Sequence, residues 1–280
     1  MMIFAAALII IGMILIYWKS SYSPHKAAFI KQMENRVKDT ESTTEVCTAK
    51  EITTLPKPLQ RYCKFIGLEG FPKHQAARII FSNTRFVFND KSGTVLDMDY
   101  DLWLFYDKPF RSAFCQSSMF GVPFEGMDYC TDNGEGGMKG MLAKAIPIFD
   151  IHNEQMYQAG LISWFAESLI INPSVLLSEN VKYEEIDENR VKVTVSYNGV
   201  VGTGIITVNE EGAVTQFYSD ERQVEEINGV ATRIGWRCEC EDYRMENGIL
   251  QAHTVRSIKV FPDKEVNYFD SDNFVIEYKK

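Results

Sequence analysis

Glu167 stands among Trp164, Phe165, Leu169 and Ile170, and it is the side chain with the most chemistry to offer. A carboxylate in apolar company must find a partner or shift its pKa upward. Glu167 therefore reads either as a polar anchor or acid at the mouth of a pocket, or as a carboxylate on an exposed helix edge or paired with an arginine. Asp97, Asp99 and Asp101 alternate along one strand. Three carboxylates so spaced could hold a hard cation such as Ca²⁺, but no loop folds further oxygens toward them, and a solvated outer face is the plainer reading. Cys238 and Cys240 share a strand face with Trp236. A zinc site would need a second pair nearby, so they read as core. Gly134, Gly136, Gly137 and Gly140 surround Lys139. A phosphate-binding loop needs lysine followed by Ser or Thr and then a helix, and here Gly140 follows. His25, His74, His152 and His253 are scattered, and no G-x-S-x-G elbow occurs. No catalytic set, metal or cofactor is assigned, and the chain is not expected to be an enzyme.

The elements that must position Glu167 centre on residues 161–177, LISWFAESLIINPSVLL. The spacing predicts a helix over 153–171, apolar nearly all round and hence buried. Asn172-Pro173 stops it, and Pro173 opens a second short helix. Before it, strands are predicted at 76–89, 94–106, 110–119 and 124–131, with 138–149 as a strand-like segment or short helix. Leu96, Met98, Tyr100, Leu102 and Leu104 face one way, and Asp97, Asp99, Asp101, Trp103 and Phe105 the other. After it, turns at Asn198-Gly199, Glu211-Gly212, Asn228-Gly229 and Asn247-Gly248 divide strands near 181–187, 190–197, 202–208, 213–219, 222–227, 230–241, 251–261 and 274–278. Sequential hairpins at this spacing argue for one large antiparallel sheet. The expected class is α+β: a large curved antiparallel β-sheet with helices packed on its concave face, preceded by an N-terminal transmembrane helix. Where the helix covers the sheet incompletely, an apolar pocket remains. Trp103, Trp164, Phe165 and Leu169 are its expected lining, with Glu167 orienting the ligand.

The chain has 280 residues, a net charge of −9 and 45% hydrophobic content. That supports a sizeable core and argues against a nucleic-acid partner. Met2 to Trp18 carries no charge and spans roughly 26 Å as a helix, close to the ~30 Å of a hydrocarbon core. A cleaved signal peptide is the rival reading, but basic residues before the apolar run are lacking. A single-pass anchor is expected. Lys19, Lys26, Lys31, Arg36 and Lys38 follow the run. The positive-inside rule then puts the domain in the cytoplasm, although the same lysines would equally face lipid headgroups. Residues 1–19 are read as the anchor, 20–54 as a juxtamembrane helix and linker, and 55–280 as one β-rich domain. Cys47 falls in the linker and is expected to be exposed, and the other five cysteines to be buried thiols.

The succession LPKPLQRY (55–62), a strand block ending near Trp103, MDYCTDNGEGGMKG (127–140) and SWFAESLIINPSVLL (163–177) resembles a family of membrane-anchored bacterial proteins catalogued as domain of unknown function 6544. The likeness spans about residues 55–278. That family carries no assigned activity, so the resemblance implies no catalytic residue. The shape it implies is similar to lipoprotein-carrier folds, in which a curved antiparallel sheet holds helices over an apolar cavity.

Three functions follow as expectations. The first is a membrane-anchored binder of a lipid or other hydrophobic ligand. The second is an envelope-associated structural or interaction module with a filled interior. The third is an enzyme built on a carboxylate cluster, whose sign would be Asp, Glu and His converging in one cleft.

Overall fold

The computed structural model describes residues 2–89, 92–227 and 230–279. The turn expected at Asn228-Gly229 lies outside the described residues. Helix α1 (Met2–Lys19) is followed by α2 (Pro24–Asp39), the short α3 (Ala49–Ile52) and α4 (Lys57–Ile66). Six strands come next: β1 (Ala76–Asn89), β2 (Thr94–Phe105), β3 (Phe110–Met119), β4 (Val122–Cys130), β5 (Gly136–Leu142) and β6 (Ile146–His152). Helix α5 (Glu154–Ile171) and a 3₁₀ turn (Pro173–Leu177) separate them from β7 (Val181–Glu185), β8 (Arg190–Tyr197), β9 (Val200–Val208) and β10 (Val214–Ile227). The chain ends with β11 (Val230–Glu246), β12 (Ile249–Val260), β13 (Glu265–Ser271) and β14 (Phe274–Lys279).

All these strands form one antiparallel sheet in the order β6-β5-β4-β3-β2-β1-β13-β12-β11-β10-β9-β8-β7. The lower part of β1 pairs with β14, and its upper part with β13. The sheet is strongly curved. β4 and β8 are nine places apart in that order, which at about 4.8 Å per strand would put them roughly 43 Å apart if flat. Yet Asn198, in the β8–β9 turn, donates from its amide to the Asp132 carbonyl, just after β4, at 2.7 Å. The two flanks therefore curl toward each other around α5, which packs on β3, β4, β5 and β6 on one side and on β8, β9 and β10 on the other.

Local chemistry explains the helices. Ser23 caps α2, its Oγ accepting from the Lys26 amide at 3.1 Å, with Pro24 as first helical residue. Gly67, in the left-handed region at φ 76°, ends α4. Asn153 caps α5 through a 2.8 Å bond to the Met156 amide. Eleven of α5's residues are buried, and each large apolar one contributes about 1.5–3 kcal/mol by leaving water. Very close approach is secured by glycine. A Cβ at Gly136 would lie 2.2 Å from the Tyr157 Cα, and one at Gly160 2.5 Å from the Cys130 Cβ. Of the glycines around Lys139, Gly136 thus serves a helix–sheet contact, while Gly137 and Gly140 make room for the Tyr129 and Phe149 side chains within the sheet.

Calling the long-strand end with the turns at 89–94, 119–122 and 142–146 the upper end, α4 closes the lower end. Leu59, Tyr62, Cys63 and Ile66 belong to the main core. Tyr62 donates to the Leu169 carbonyl at 3.0 Å, and Arg61 donates to Asn189 Oδ1 at 2.7 Å and to the Asn209 carbonyl at 3.1 Å.

Helix α2 packs on the convex face. Phe29 and Met33 are buried there with Trp103, Phe105, Phe110 and Phe114. It runs downward, from Lys26 at Gln116 to Arg36 at Asp107 and Asp132. At the upper end α1 projects from the body. It is long and apolar enough to cross a membrane, and its apolar window is unburied by the protein.

Three expectations are corrected, and a fourth, for residues 138–149, resolves to one of its two readings. Residues 138–149 are strand on both sides of a turn, because Leu142 pairs with Ile146 across it. Segments 213–219 and 222–227 are one strand, bent by a bulge between Ser219 and Gln223. A strand at 265–271 was not anticipated, since its polar residues Glu265, Asn267 and Asp270 mask any apolar alternation. Cys47 is 1% exposed: the backbone pairs Val46 with Pro72 and carries its thiol into the main core.

Candidate functional site

Cross-strand register tells which side chains share the concave face. Tyr100 is opposite Phe81 and Cys115, Phe86 opposite Leu96 and Phe269, and Cys238 opposite Phe217 and Ser257. Helix α5 crosses the lower half of this face, where its C-terminal carbonyl at Ile171 accepts from Tyr278 at 2.6 Å and from Gln251 at 3.1 Å. In the upper half the face keeps partly exposed side chains deep within the molecule: Phe86, Tyr100, Cys115, Arg222, Tyr268 and Phe269. Their rings form a continuous lining, with Phe81–Phe269 centroids at 5.4 Å, Tyr100–Phe269 at 6.0 Å and Phe86–Tyr268 at 5.9 Å.

Two polar groups stand where α5 meets this lining. In the first, Arg111 forks onto Glu167, with Nε–Oε2 at 2.6 Å and Nη2–Oε1 at 2.8 Å. Its Nη1 meets Asp128 Oδ2 at 2.9 Å, and its Nη2 also donates to the Tyr100 hydroxyl at 2.8 Å. Tyr100 in turn donates to Asp128 at 3.1 Å. Burial works against the charge on Arg111, but the carboxylates of Asp128 and Glu167 outweigh it and hold the guanidinium protonated. Burial pushes the Tyr100 hydroxyl well above the usual phenol range, so it is a hydrogen-bond donor at all physiological pH. In the second group, Arg222 donates to Ser163 Oγ at 2.7 Å and to the Tyr268 hydroxyl at 3.3 Å. Its guanidinium lies 4.1 Å over the Trp236 ring, whose Nε1 donates to the same hydroxyl at 2.9 Å. Ser163 and Glu167 are one helical turn apart on α5, which is how one helix serves both groups.

The sequence-derived residues fall in three places. Glu167 is at the hollow and is the arginine-paired carboxylate that was one of its two readings. Trp164, Phe165 and Leu169 are at most 1% exposed, inside the packed seam between α5 and the sheet, with the Trp164 indole donating to the Phe105 carbonyl at 2.9 Å. Trp103 is on the opposite face, in the cluster beneath α2 with Arg78 at 5.2 Å from its ring. It cannot share a lining with Trp164, because strand parity sends residue 103 to the side opposite Leu102 and Leu104. The partly exposed side chains are therefore above the seam, not within it. Arg111, Asp128, Tyr100, Arg222 and Tyr268 were not singled out. Arg111 carried a readable signal, an arginine in step with Ala113 and Cys115 on an inward-facing register.

The other candidate groups disperse. Asp101 is 3% exposed and bound by Arg78 at 2.9 and 2.7 Å, not solvated, while Asp99 accepts from the Asn83 amide at 3.0 Å. Cys238 and Cys240 are buried, and burial pushes the Cys240 thiol up to about 12. His25 meets Glu125 at 3.2 Å, His253 meets Glu246 at 2.9 Å, and His74 stacks on Tyr278 at 3.9 Å. Among the described residues no group of three or more His, Cys, Asp or Glu is assembled for a metal ion. Two surface clefts, of about 540 Å³ along α2 and about 550 Å³ beside the β12–β13 turn, involve none of the Arg111 or Arg222 groups.

The model of a family of unknown function, DUF6544, matches residues 45–271. The crystal structure of a LolA superfamily protein from Nitrosomonas europaea matches 84% of this chain and 95% of its own, with 9% identity and a TM-score of 0.40. No curated protein matches the chain.

Proposed function

We propose that this chain, which belongs to the DUF6544 family, is a membrane-anchored binder that takes a lipid or other hydrophobic ligand into the upper half of its curved sheet. One observation carries the reading: aromatic side chains on the concave face are left partly exposed deep in the molecule, beside α5 rather than under it. Exposed apolar surface of that kind is costly in a monomer unless something else covers it. The polar groups suit recognition. Arg222, partly exposed at the edge of the apolar lining, suits a ligand with one polar end, while Arg111 is enclosed by its own partners. Both carboxylates near Arg111 are committed to that guanidinium, which favours binding over acid–base catalysis.

Residues 1–19 are the anchor in this reading, 20–54 connect it to the domain, and 55–280 form the binding domain. The basic residues after α1 favour the cytoplasmic side. A structural module with a filled interior is the second reading, favoured by the dense α5 seam.

Cys115 supplies a direct test, because the residue is partly exposed and stands beside Tyr100. Burial pushes that thiol up to about 12, so its reaction with a small alkylating reagent should quicken as the pH rises from 7 to 9. Delipidated full-length protein is titrated with a fluorescent fatty acid while Cys115 alkylation is followed by mass spectrometry. The expected result is saturable uptake with alkylation slowed at least tenfold, both lost in Ser257→Trp, which fills the hollow. Absence of uptake, with alkylation indifferent to the fatty acid, would reject the binding reading in favour of the filled module.

A further inference from the structure

The turn between β3 and β4 is Phe120-Gly121, with φ of 53° and 79°. Two successive left-handed residues suit Asn or Gly, whose backbones tolerate them, and the hairpin turns Asn198-Gly199 and Asn247-Gly248 follow that rule here. Phe120 breaks it. A bulky ring occupies a strained backbone position and is 95% exposed, so it gains nothing from the rest of the protein. Two costs borne together with no internal return point to a partner outside the chain.

The neighbouring chain identifies that partner. Ala143 donates its amide to the Pro123 carbonyl at 2.7 Å, which holds the β5–β6 turn beside the β3–β4 turn. In that second turn Lys144 is 5% exposed and points at the end of α1. Its ammonium donates to the carbonyls of Ser20 and Tyr22 at 2.8 Å each and to that of Tyr17 at 3.3 Å. The last turn of the apolar helix is thus fastened to the hairpin tips. Ile146, just beyond the same turn, is 57% exposed.

We propose that these two hairpin tips lie in the bilayer interface with Phe120 inserted, so that the upper, open end of the hollow faces lipid. The partner is the bilayer itself, because the apolar tips continue a helix of membrane-spanning length and are joined to its end. Aromatic rings favour the interfacial depth this places them at. The inference rests on the membrane reading of α1 but not on the presence of any ligand.

The test uses full-length protein in vesicles of phosphatidylcholine and phosphatidylglycerol. Phe120→Cys is labelled with an NBD maleimide, with unsubstituted protein giving the background and Glu188→Cys, at the lower end, as the comparison site. Doxyl-labelled phospholipid should quench the label at 120 at least fivefold more than the label at 188, and aqueous iodide should do the reverse. Phe120→Asn, a better turn former, should keep the melting temperature at or above that of the parent, separating the lipid contact from folding. Equal quenching at both sites, or a fall in melting temperature with Phe120→Asn, would overturn the proposal. Quenching at 120 in a protein that takes up no fatty acid would instead remove the binding function and leave the membrane contact standing.

Discussion

Arg111 is the residue on which the hollow's polar chemistry turns. It is 4% exposed and serves Glu167, Asp128 and Tyr100 together. Removing it strands two carboxylates, and breaking a buried pair in this way costs about 3–5 kcal/mol. Arg111→Leu should therefore lower the unfolding free energy of the detergent-solubilised protein, measured by denaturant titration, by that amount. Arg111→Lys should recover only part of it, because an ammonium cannot fork onto Glu167. A loss under 1 kcal/mol for Arg111→Leu would show that solvent already screens the carboxylates. At this scale the sequence was partly legible. Glu167 stood out through its apolar neighbours, and an arginine was a natural partner. Which arginine was hidden, because residues 111 and 167 meet only through tertiary packing. Trp103 misled for a simpler reason: strand parity set it opposite Leu102 and Leu104, but nothing local shows that this second face is buried under α2 rather than belonging to the hollow.

Among the elements, α5 decides how much of the sheet is closed. Its run of apolar residues announced burial, and its bounds were legible from Asn153 and Asn172-Pro173. The strands of regular alternation and the turns at Asn198-Gly199 and Asn247-Gly248 were legible for the same local reasons. Less so was β13, whose polar residues gave no period, and the bend in β10, which arises from a bulge that the partner strand imposes. The depth to which α5 settles depends on bare backbone. Gly136→Ala would bring a methyl into the Tyr157 backbone, and overpacking of this kind costs about 1–3 kcal/mol. The expected outcome is a lower melting temperature, with faster amide exchange along residues 154–171 than along β11–β12. Unchanged exchange in α5 would mean that the contact does not set its seat.

For the molecule as a whole, three directions coincide. The long strands open upward, α4 closes the lower end, and α1 leaves from the upper end, where Lys144 binds the carbonyls of Tyr17, Ser20 and Tyr22. Sequence could propose an anchor and a curved sheet, each from local pattern. It could not show that α1 departs from the upper end, nor that α2 clasps the convex face, since both depend on how distant segments are placed. Buried apolar clusters therefore sit on both sides of the sheet, one under α5 and one under α2, while the partly exposed aromatics are left between the closed end and the upper rim from which α1 leaves. The central claim is that lipid reaches those aromatics. The most direct measurement reconstitutes the full-length chain in vesicles containing a diazirine-bearing phospholipid, irradiates them and maps the adducts by peptide mass spectrometry. Adducts on Phe86, Tyr100, Tyr268 and Phe269, reduced by Ser257→Trp, are the predicted result; adducts confined to residues 2–19 and the hairpin tips would contradict it.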